Sequence, residues 1–584
     1  MCGIAGFAGL EDKKLLKKML DVISYRGPDD WGVYIDNGVG LGNRRLSIID
    51  LKTGKQPIHS EDGDVWVVYN GEIYNYKNLR CELEKKKHKF HTASDTEVLV
   101  HAYEEWGEGF VRRLRGIWAF ALWDSRRKKL LLARDELGVK PLYYAPLAGK
   151  LFFGSEIKCM LQNAEIKRKL NQRALECFLA FGSVFGEETL FEGIKKILPG
   201  HLLAWGKGSA LVSRYWEPVM EPRAGGEAEF AARIKNLLSE SVEIELMSDV
   251  PLGAFLSGGV DSSAVGGLMS RFVKKPVKTF TVGFGESDDE VEYARAVSEH
   301  FGTDHRELMV DMDRVVKLVP RLAWHFDDLT GDAAAVPTYF VSELARNHVK
   351  VVLTGEGGDE LFAGYNRYKL MSGALWFVPK SFRINFFKKV VSIFNEREMA
   401  AMLPATRGAN AFKRFLSPYF ETRADLLNQA LLWGIVEVLP NQLLSKVDRT
   451  TMARSLEARV PFLDKEMVAL AGELPTHLKM RGLTGKYILR KALSELVPRQ
   501  ILQRKKHGFD VPLLTWFSGE LGEYALQTLS DKHARLGRYV KGFEKFIPEK
   551  MHLSDKRHAR KVWHLLMLEL WLKTFMEKEK PRAL

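Results

Sequence analysis

Cysteine is scarce in this chain of 584 residues: only Cys2, Cys81, Cys159 and Cys177 occur. Their spacing matches no metal-ligand pattern. So few thiols exclude a disulfide scaffold and suit a reducing compartment, so a cytoplasmic location is expected. Long apolar runs are missing as well. The stretch Gly116 to Trp123 falls far short of the ~18 residues that a membrane-spanning helix needs. The apolar start, MCGIAGFAGL, has no basic segment before it and no cleavage pattern, so no export signal is read. Internal repeats and low-complexity segments are absent. Lys and Arg (87) outnumber Asp and Glu (74), giving a net charge of +13. No aromatic-basic RNA module accompanies that excess. It reads as a solvated basic surface suited to anionic substrates, and neither a nucleic acid nor a membrane partner is expected. Hydrophobic residues make up 46% and charged residues 28%, which excludes disorder and supplies more than one core.

Texture divides the chain. Short β-branched or aromatic runs bounded by Gly, Asp and Pro predict strands at Val65–Tyr69, Lys129–Ala133, Pro141–Ala145 and Leu151–Gly154. Helical patterns interleave at Lys13–Ile23, Lys77–Lys86 and Thr96–Trp106. This predicts an α+β domain with antiparallel sheets over residues 2–216. Glu217–Glu227 (EPVMEPRAGGE) is rich in Pro and Gly and reads as a linker. From residue 228 to 584 the pattern changes. A helix at Glu229–Leu246 leads to a strand at Leu252–Leu256, a Gly-rich turn and another helix. A second strand is expected at Thr279–Phe284, a helix at Glu290–Phe301 and a third strand at Val349–Leu353. Apolar strands alternating with helices predict a doubly wound parallel sheet, followed past Tyr368 by a helical C-terminal region.

Chemistry is concentrated in two groups of motifs. Removal of Met1 would leave Cys2 with a free α-amine beside its thiol. Their ordinary pKa values, ~7.7–8.0 and ~8.5, let the amine act as base for the thiol near neutral pH. Downstream come Tyr25-Arg26-Gly27-Pro28-Asp29, Arg45-Leu46-Ser47-Ile48, Asn70-Gly71-Glu72-Ile73-Tyr74-Asn75 and Ser94-Asp95-Thr96-Glu97. Asn70-Gly71 taken alone is a strong hairpin signal, and here a turn is expected to present the pair. Arg26 and Asp29 could form an ion pair holding their loop or could meet a substrate.

The ordered set resembles the class II glutamine amidotransferases, which are N-terminal nucleophile hydrolases. That resemblance implies Cys2 as the nucleophile on the glutamine amide and Arg45 as the partner of the glutamine carboxylate. It also implies Asn70 and the Gly71 N–H as oxyanion donors, and Asp95, helped by Glu72, as the partner of the α-ammonium.

The second group begins at Leu256-Ser257-Gly258-Gly259-Val260-Asp261-Ser262-Ser263, between a strand and a helix. Glycines there permit close backbone approach, and successive N–H groups at a helix start favour an anion. No Walker lysine is present. The loop resembles that of the ATP pyrophosphatases, which cleave ATP between α and β. Thr281-Val282-Gly283-Phe284 and Thr354-Gly355-Glu356-Gly357-Gly358-Asp359-Glu360 match further family segments, as does Lys486 in GKYILR. The resemblance implies ATP contacts at Leu256, Ser257, Gly258, Gly259, Asp261, Ser262, Val282, Thr354 and Gly355. It implies Mg²⁺ between Asp261 and Asp359, Lys486 beside the leaving pyrophosphate, and Glu356 as base for ammonia attack or as a loop-orienting group. Tyr365 is either a packing residue or a catalytic one.

Lys446–Asp464 (KVDRTTMARSLEARVPFLD) and Lys506–Pro512 (KHGFDVP) extend the similarity to glutamine-hydrolysing asparagine synthetases over nearly the whole chain. Expected substrates are therefore glutamine, aspartate and ATP, and relatives imply a homodimer. Where many relatives read Asp-Glu-Pro, this chain reads Asp327-Asp328-Leu329, followed by Thr330-Gly331-Asp332 near the presumed acceptor side. That departure leaves open another carboxylate acceptor, such as a sugar acid.

Overall fold

In strand β1 (Cys2–Ala8), alternate residues must face opposite sides. Ile4 and Ala8 are buried between two sheets, while Ala5 and Phe7 are buried beneath helix α1 (Lys13–Asp21). The computed structural model describes residues 2–285, 290–404, 410–422, 424–504, 511–549, 551, 553 and 555–576.

One six-stranded antiparallel sheet has the order β10-β8-β9-β1-β3-β2. It contains β2 (Asp30–Asp36), β3 (Val39–Arg45), β8 (Tyr143–Leu147), β9 (Lys150–Gly154) and β10 (Lys195–Lys196). The second has the order β12-β11-β7-β6-β5-β4. Its strands are β4 (Ile58–His59), β5 (Val65–Ile73), β6 (Gly116–Asp124), β7 (Lys129–Arg134), β11 (His201–Gly206) and β12 (Ser209–Arg214). Val68, Ala121, Trp123, Leu130 and Leu132 meet Ile4, Leu41 and Phe153 between the sheets. The opposite faces of β5 and β6 bury Val67, Tyr69, Phe120 and Leu122 under α2 (Tyr76–Lys85) and α3 (Glu97–Trp106). Helices therefore cover both outer faces of a sheet pair, and the even residues of β1 and β5 share the space between. The run Gly116–Trp123, too short for a membrane, is the buried central strand β6. Among the described residues, no helix is long and apolar enough to cross a membrane.

Residues 217–226 contain no helix or strand, and α4 (Glu227–Glu245) follows. Beyond it lies a five-stranded parallel sheet in the order β15-β14-β13-β16-β17. Its strands are β13 (Leu252–Phe255), β14 (Lys278–Gly283), β15 (Asp304–Met309), β16 (Val351–Leu353) and β17 (Glu457–Arg459). Counted along the chain this is 3-2-1-4-5, the doubly wound order. The connections reverse direction between β13 and β16, and ligands bind such sheets outside the strand C-termini at that point. Both Gly-rich segments leave there: α5 (Val260–Phe272) follows β13, and Thr354-Gly355-Glu356 follows β16.

Two strands differ from expectation. β15 (DHRELM) is an edge strand with one partly solvated face, so it lacks the apolar run that marks its neighbours. β17 is only three residues long and its ends are the charged Glu457 and Arg459. The segment expected as the third strand is therefore the fourth. The C-terminal region is helical and includes α6 (Leu444–Met452) and α7 (Lys556–Phe575). α7 packs back on the first half, where the Phe191 and Trp571 rings lie 5.0 Å apart; within the second half, Trp571 Nε1 donates to the Asp327 carbonyl at 3.1 Å.

Candidate functional site

Strand alternation places Cys2, Asn70 and Glu72 together at one end of the space between the sheets. The Cys2 N–H donates to Asn70 Oδ1 at 2.9 Å. Asn70 is fully buried, and its Nδ2 has no hydrogen-bond partner among the described residues. The pair Asn70-Gly71 corrects the expectation of a turn: both lie inside β5, opposite Ala119 and Trp118 of β6. Glycine is required at 71 by closeness, since a Cβ there would fall 2.1 Å from the Ile117 carbonyl oxygen.

Arg45 is the register partner of Cys2 across β1 and β3. Its Nη2 donates to the Ile49 and Asp50 carbonyls at 3.0 and 2.7 Å, so the following loop folds around one guanidinium edge. Asp95 Oδ2 accepts from Tyr69 Oη and Ile73 N, each at 3.0 Å. Burial raises the Asp95 pKa, and these two hydrogen bonds oppose the rise. Glu72 lies deeper. Its pKa is pushed well above the usual carboxylate range by burial, then by Glu457 and Asp95. Arg459 Nη2 stands 3.4 Å from Glu72 Oε1 and works in the opposite direction.

The second cluster sits at the reversal point of the parallel sheet. Gly258 has φ +64°, and a Cβ there would lie 2.3 Å from Tyr293 Cβ. Ser262 Oγ sits 3.0 Å from Ser257 Oγ and accepts from Ser257 N at 3.3 Å, closing the turn before α5. The two Gly-rich segments touch: a Cβ on Gly355 would come within 2.7 Å of Ser262 N. Asp261, Asp359 and Lys486 converge there. The Lys486 ammonium contacts Asp261 and lies 2.6 Å from Asp359 Oδ1. Only 4% of Lys486 is exposed, so it is not a solvent-facing lysine. Leu256 and Val282 are buried in this sheet, and Thr354 N donates to the Arg459 carbonyl at 2.9 Å. Glu356 is partly open and takes a hydrogen bond from Lys446 Nζ at 3.3 Å. Tyr365 Oη donates to Glu360 at 2.6 Å. Burial, then Asp359, pushes Glu360 up to about 7.

The link between the clusters was not visible in the motifs. Arg26 Nε donates to the Cys2 carbonyl at 3.2 Å, and its Nη1 and Nη2 reach Asp448 at 2.8 and 3.1 Å. Arg26 and Asp29 thus form no ion pair with each other. Asp29, just before β2, instead binds Lys350 at 2.7 Å and accepts from Ser47 N. On α6, Asp448 serves Arg26 while Lys446, two residues earlier, serves Glu356. Next to them Arg449 binds Glu156 and Asp327, each at 3.0 Å. Burial opposes the Glu156 charge, but Lys158, Arg449 and Arg26 hold its carboxyl well below the usual range. Removing one partner from such a buried ion network costs about 3–5 kcal/mol.

Arg459 makes a second link, with its side chain on Glu72 and its carbonyl on Thr354. Of the departing segment, Asp327 and Asp328 serve the first half: Asp328 lies 3.4 Å from Lys196. Asp332, 3.9 Å from Lys446, faces the Glu356 side. A small cavity of about 10 Å³, room for one water-sized molecule, lies between the halves among Tyr143, Lys196, Asp328, Asp448 and Arg449. Lys446, Asp448, Arg449 and Arg459 belong to the motif Lys446–Asp464, yet nothing in that motif names their contacts. Within Lys506–Pro512, residues 506–510 lie outside the described residues, as does Met1.

Comparison with known proteins gives the family of each half. The "Glutamine amidotransferase domain" family matches residues 1–216 and the "Asparagine synthase" family matches residues 233–573. Asparagine synthetase [glutamine-hydrolyzing] 1 of Bacillus subtilis is 33% identical over 99% of this chain and 97% of its own. Asparagine synthetase [glutamine-hydrolyzing] 3 of the same organism is 34% identical over 87% of this chain and 86% of its own. Asparagine synthetase [glutamine-hydrolyzing] 2 of Oryza sativa is 30% identical over 91% of this chain and 80% of its own. Matched on both halves and along nearly its full length, the chain belongs to the family of glutamine-hydrolysing asparagine synthetases.

Proposed function

We propose that this enzyme makes asparagine from aspartate, glutamine and ATP at two sites joined through α6. The observation that carries the reading is that one helix supports both: Asp448 through Arg26 to Cys2, and Lys446 to Glu356.

At the first site, with Met1 removed, the Cys2 amine takes the thiol proton and Sγ attacks the glutamine amide carbon. The unpartnered Asn70 Nδ2 and the Gly71 N–H receive the oxyanion that forms. Each donor is worth about 3–4 kcal/mol in such a site. Arg45 holds the α-carboxylate with the guanidinium edge that the loop leaves over. Asp95 holds the α-ammonium, and Glu72 supports that end. The tetrahedral intermediate collapses to the thioester as its C–N bond breaks and ammonia leaves with the proton from the Cys2 ammonium; water then hydrolyses the thioester to glutamate and restores the thiol.

At the second site, the turn Ser257–Ser262 cradles the phosphates, with Leu256, Val282, Thr354 and Gly355 lining the rest of the ATP position. Asp261 and Asp359 are hard oxygen donors on adjacent segments, a donor set that fits Mg²⁺. Held by these carboxylates, such an ion would supply charge neutralisation for the phosphates as pyrophosphate departs. Lys486 already lies between these carboxylates and is placed to follow the charge of the departing pyrophosphate. The aspartate side-chain carboxylate attacks the α-phosphorus, pyrophosphate leaves and β-aspartyl-AMP forms. Ammonia then attacks the acyl carbon and AMP leaves. Glu356, held by Lys446, takes the proton.

Ammonia released to water near neutral pH is mostly protonated and loses its nucleophilic pair, so an internal path is required. The water-sized cavity beside Asp448 and Arg449, between the two halves, supports such a path. The test is pyrophosphate release from MgATP and glutamine with and without L-aspartate, with products identified by mass spectrometry. Aspartate is expected to stimulate release, with one asparagine and one AMP formed per pyrophosphate. Active glutamine hydrolysis with no response to aspartate would move the acceptor to another carboxylate, such as a sugar acid.

A further inference from the structure

Four side chains that neither site uses converge on the outer helical face of the second sheet. Glu61 comes from the β4–β5 connection and His88 from the turn after α2, while His101 and Glu104 stand one turn apart on α3. One ligand atom from each lies within 4.8 Å of the others. His101 Nδ1 is 3.1 Å from Glu104 Oε2 and 3.5 Å from Glu61 Oε2. His88 Nδ1 is 3.7 Å from Glu104 Oε2. Bonds of ~2.0–2.1 Å to a tetrahedral ion place its ligands about 3.3 Å apart, so these separations need only small adjustments.

The outward-facing atoms are as informative as the inward ones. Each imidazole turns Nδ1 toward the centre and Nε2 toward a further carboxylate. His101 Nε2 faces Glu97 at 3.7 Å, and His88 Nε2 faces Glu105 at 3.4 Å. Metal-bound histidines are oriented in this way by a carboxylate behind the ring. Those carboxylates are themselves held. Glu97 accepts from His91 N, Thr92 N and Thr92 Oγ1, each at 2.7 Å, and Glu105 accepts from Lys86 Nζ at 2.6 Å. Glu61 Oε1 accepts from Lys89 N at 2.7 Å, which leaves Oε2 directed at His101. His101 is fully buried, whereas Glu61 is about a third exposed and opens the cluster to solvent.

We propose that Glu61, His88, His101 and Glu104 bind one divalent transition-metal ion of the Zn²⁺ class. Two nitrogens with two carboxylate oxygens suit such an ion better than Mg²⁺ or Ca²⁺, which take mostly oxygen. Four protein ligands leave no open position, so the role is structural. The ion ties the β4–β5 connection and the turn after α2 to α3, whose first residue lies two positions after Asp95.

The test uses the full chain stripped with a chelator and titrated with Zn²⁺ alone or Co²⁺ alone. Glu61→Gln and His88→Gln are the variants, chosen because both positions are partly exposed and neither lies in the substrate sites. The wild type is expected to bind one more equivalent of Zn²⁺ than either variant, with affinity in the variants reduced at least ~10-fold. Zn²⁺ should raise Tm in the wild type and not in the variants. Bound Co²⁺ should show the visible bands of a tetrahedral ion without a thiolate charge-transfer band. Equal stoichiometry and equal Tm response in wild type and variants would overturn the proposal. So would a Co²⁺ spectrum carrying only thiolate bands, which would put the ion on a cysteine instead.

Discussion

Cys2→Ala is expected to lower glutamine-dependent asparagine synthesis by more than ~10³-fold while leaving ammonium-dependent synthesis within about twofold of wild type. The nucleophile is lost, so no thioester forms and no ammonia is released. The second site is spared because what ties it to Cys2 is backbone: Arg26 Nε binds the Cys2 carbonyl, and the Asn70 contact is to the Cys2 N–H. Neither contact involves the thiol. Arg26 therefore stays on Asp448, α6 stays in place, and Lys446 still holds Glu356. Parallel assays with glutamine and with ammonium chloride, and circular dichroism to establish folding, check this outcome. Loss of both activities in a folded protein would contradict a two-site scheme.

Asp261→Asn should act in the opposite sense. Pyrophosphate release is expected to fall by ~10³-fold, the equivalent of several kcal/mol of charge stabilisation, while glutamine hydrolysis persists. The carboxylate faces Gly358 and the Lys486 ammonium, so its charge serves the ion and the lysine together. Asn is nearly isosteric, which matters because the site is tight. A Cβ on Gly358 would lie 2.5 Å from Asp261 Oδ1, and one on Gly364 would lie 1.8 Å from Asp359 Oδ1. Lys486 retains Asp359 at 2.6 Å in this variant, so the segment keeps an anchor. Pyrophosphate and glutamate are measured on the same sample. Unchanged pyrophosphate release would remove Asp261 from the metal and phosphate position.

Both clusters were legible because each is built from short local segments whose residue types are constrained by chemistry. Cys2, Asn70 and Asp95 were picked out by the family resemblance of their motifs, and strand alternation accounts for the first two meeting. The hairpin reading of Asn70-Gly71 failed for a physical reason. The glycine is dictated by a close approach to Ile117 within the sheet, not by a turn, and the two causes leave the same dipeptide. Strands with an apolar run, such as β5, β7 and β16, were readable. β15 was not, because an edge strand with a wet face tolerates His, Arg and Glu. β17 was hidden by buried ions: Glu457 and Arg459 satisfy each other at 2.6 Å instead of presenting apolar side chains. The bridge between the clusters lies furthest from the sequence's reach. Arg26 and Asp448 are 422 positions apart, and nothing in either neighbourhood names the other.

That bridge is the central claim, and isotope dilution tests it most directly. Glutamine carrying ¹⁵N in its side-chain amide is supplied with MgATP, aspartate and an excess of unlabelled ammonium. Mass spectrometry then reads the label in asparagine. Internal passage past α6 predicts asparagine labelled well above the isotope ratio of the bulk ammonium. Label diluted in proportion to the bulk pool would show that ammonia leaves the protein between the two sites, and would contradict the account.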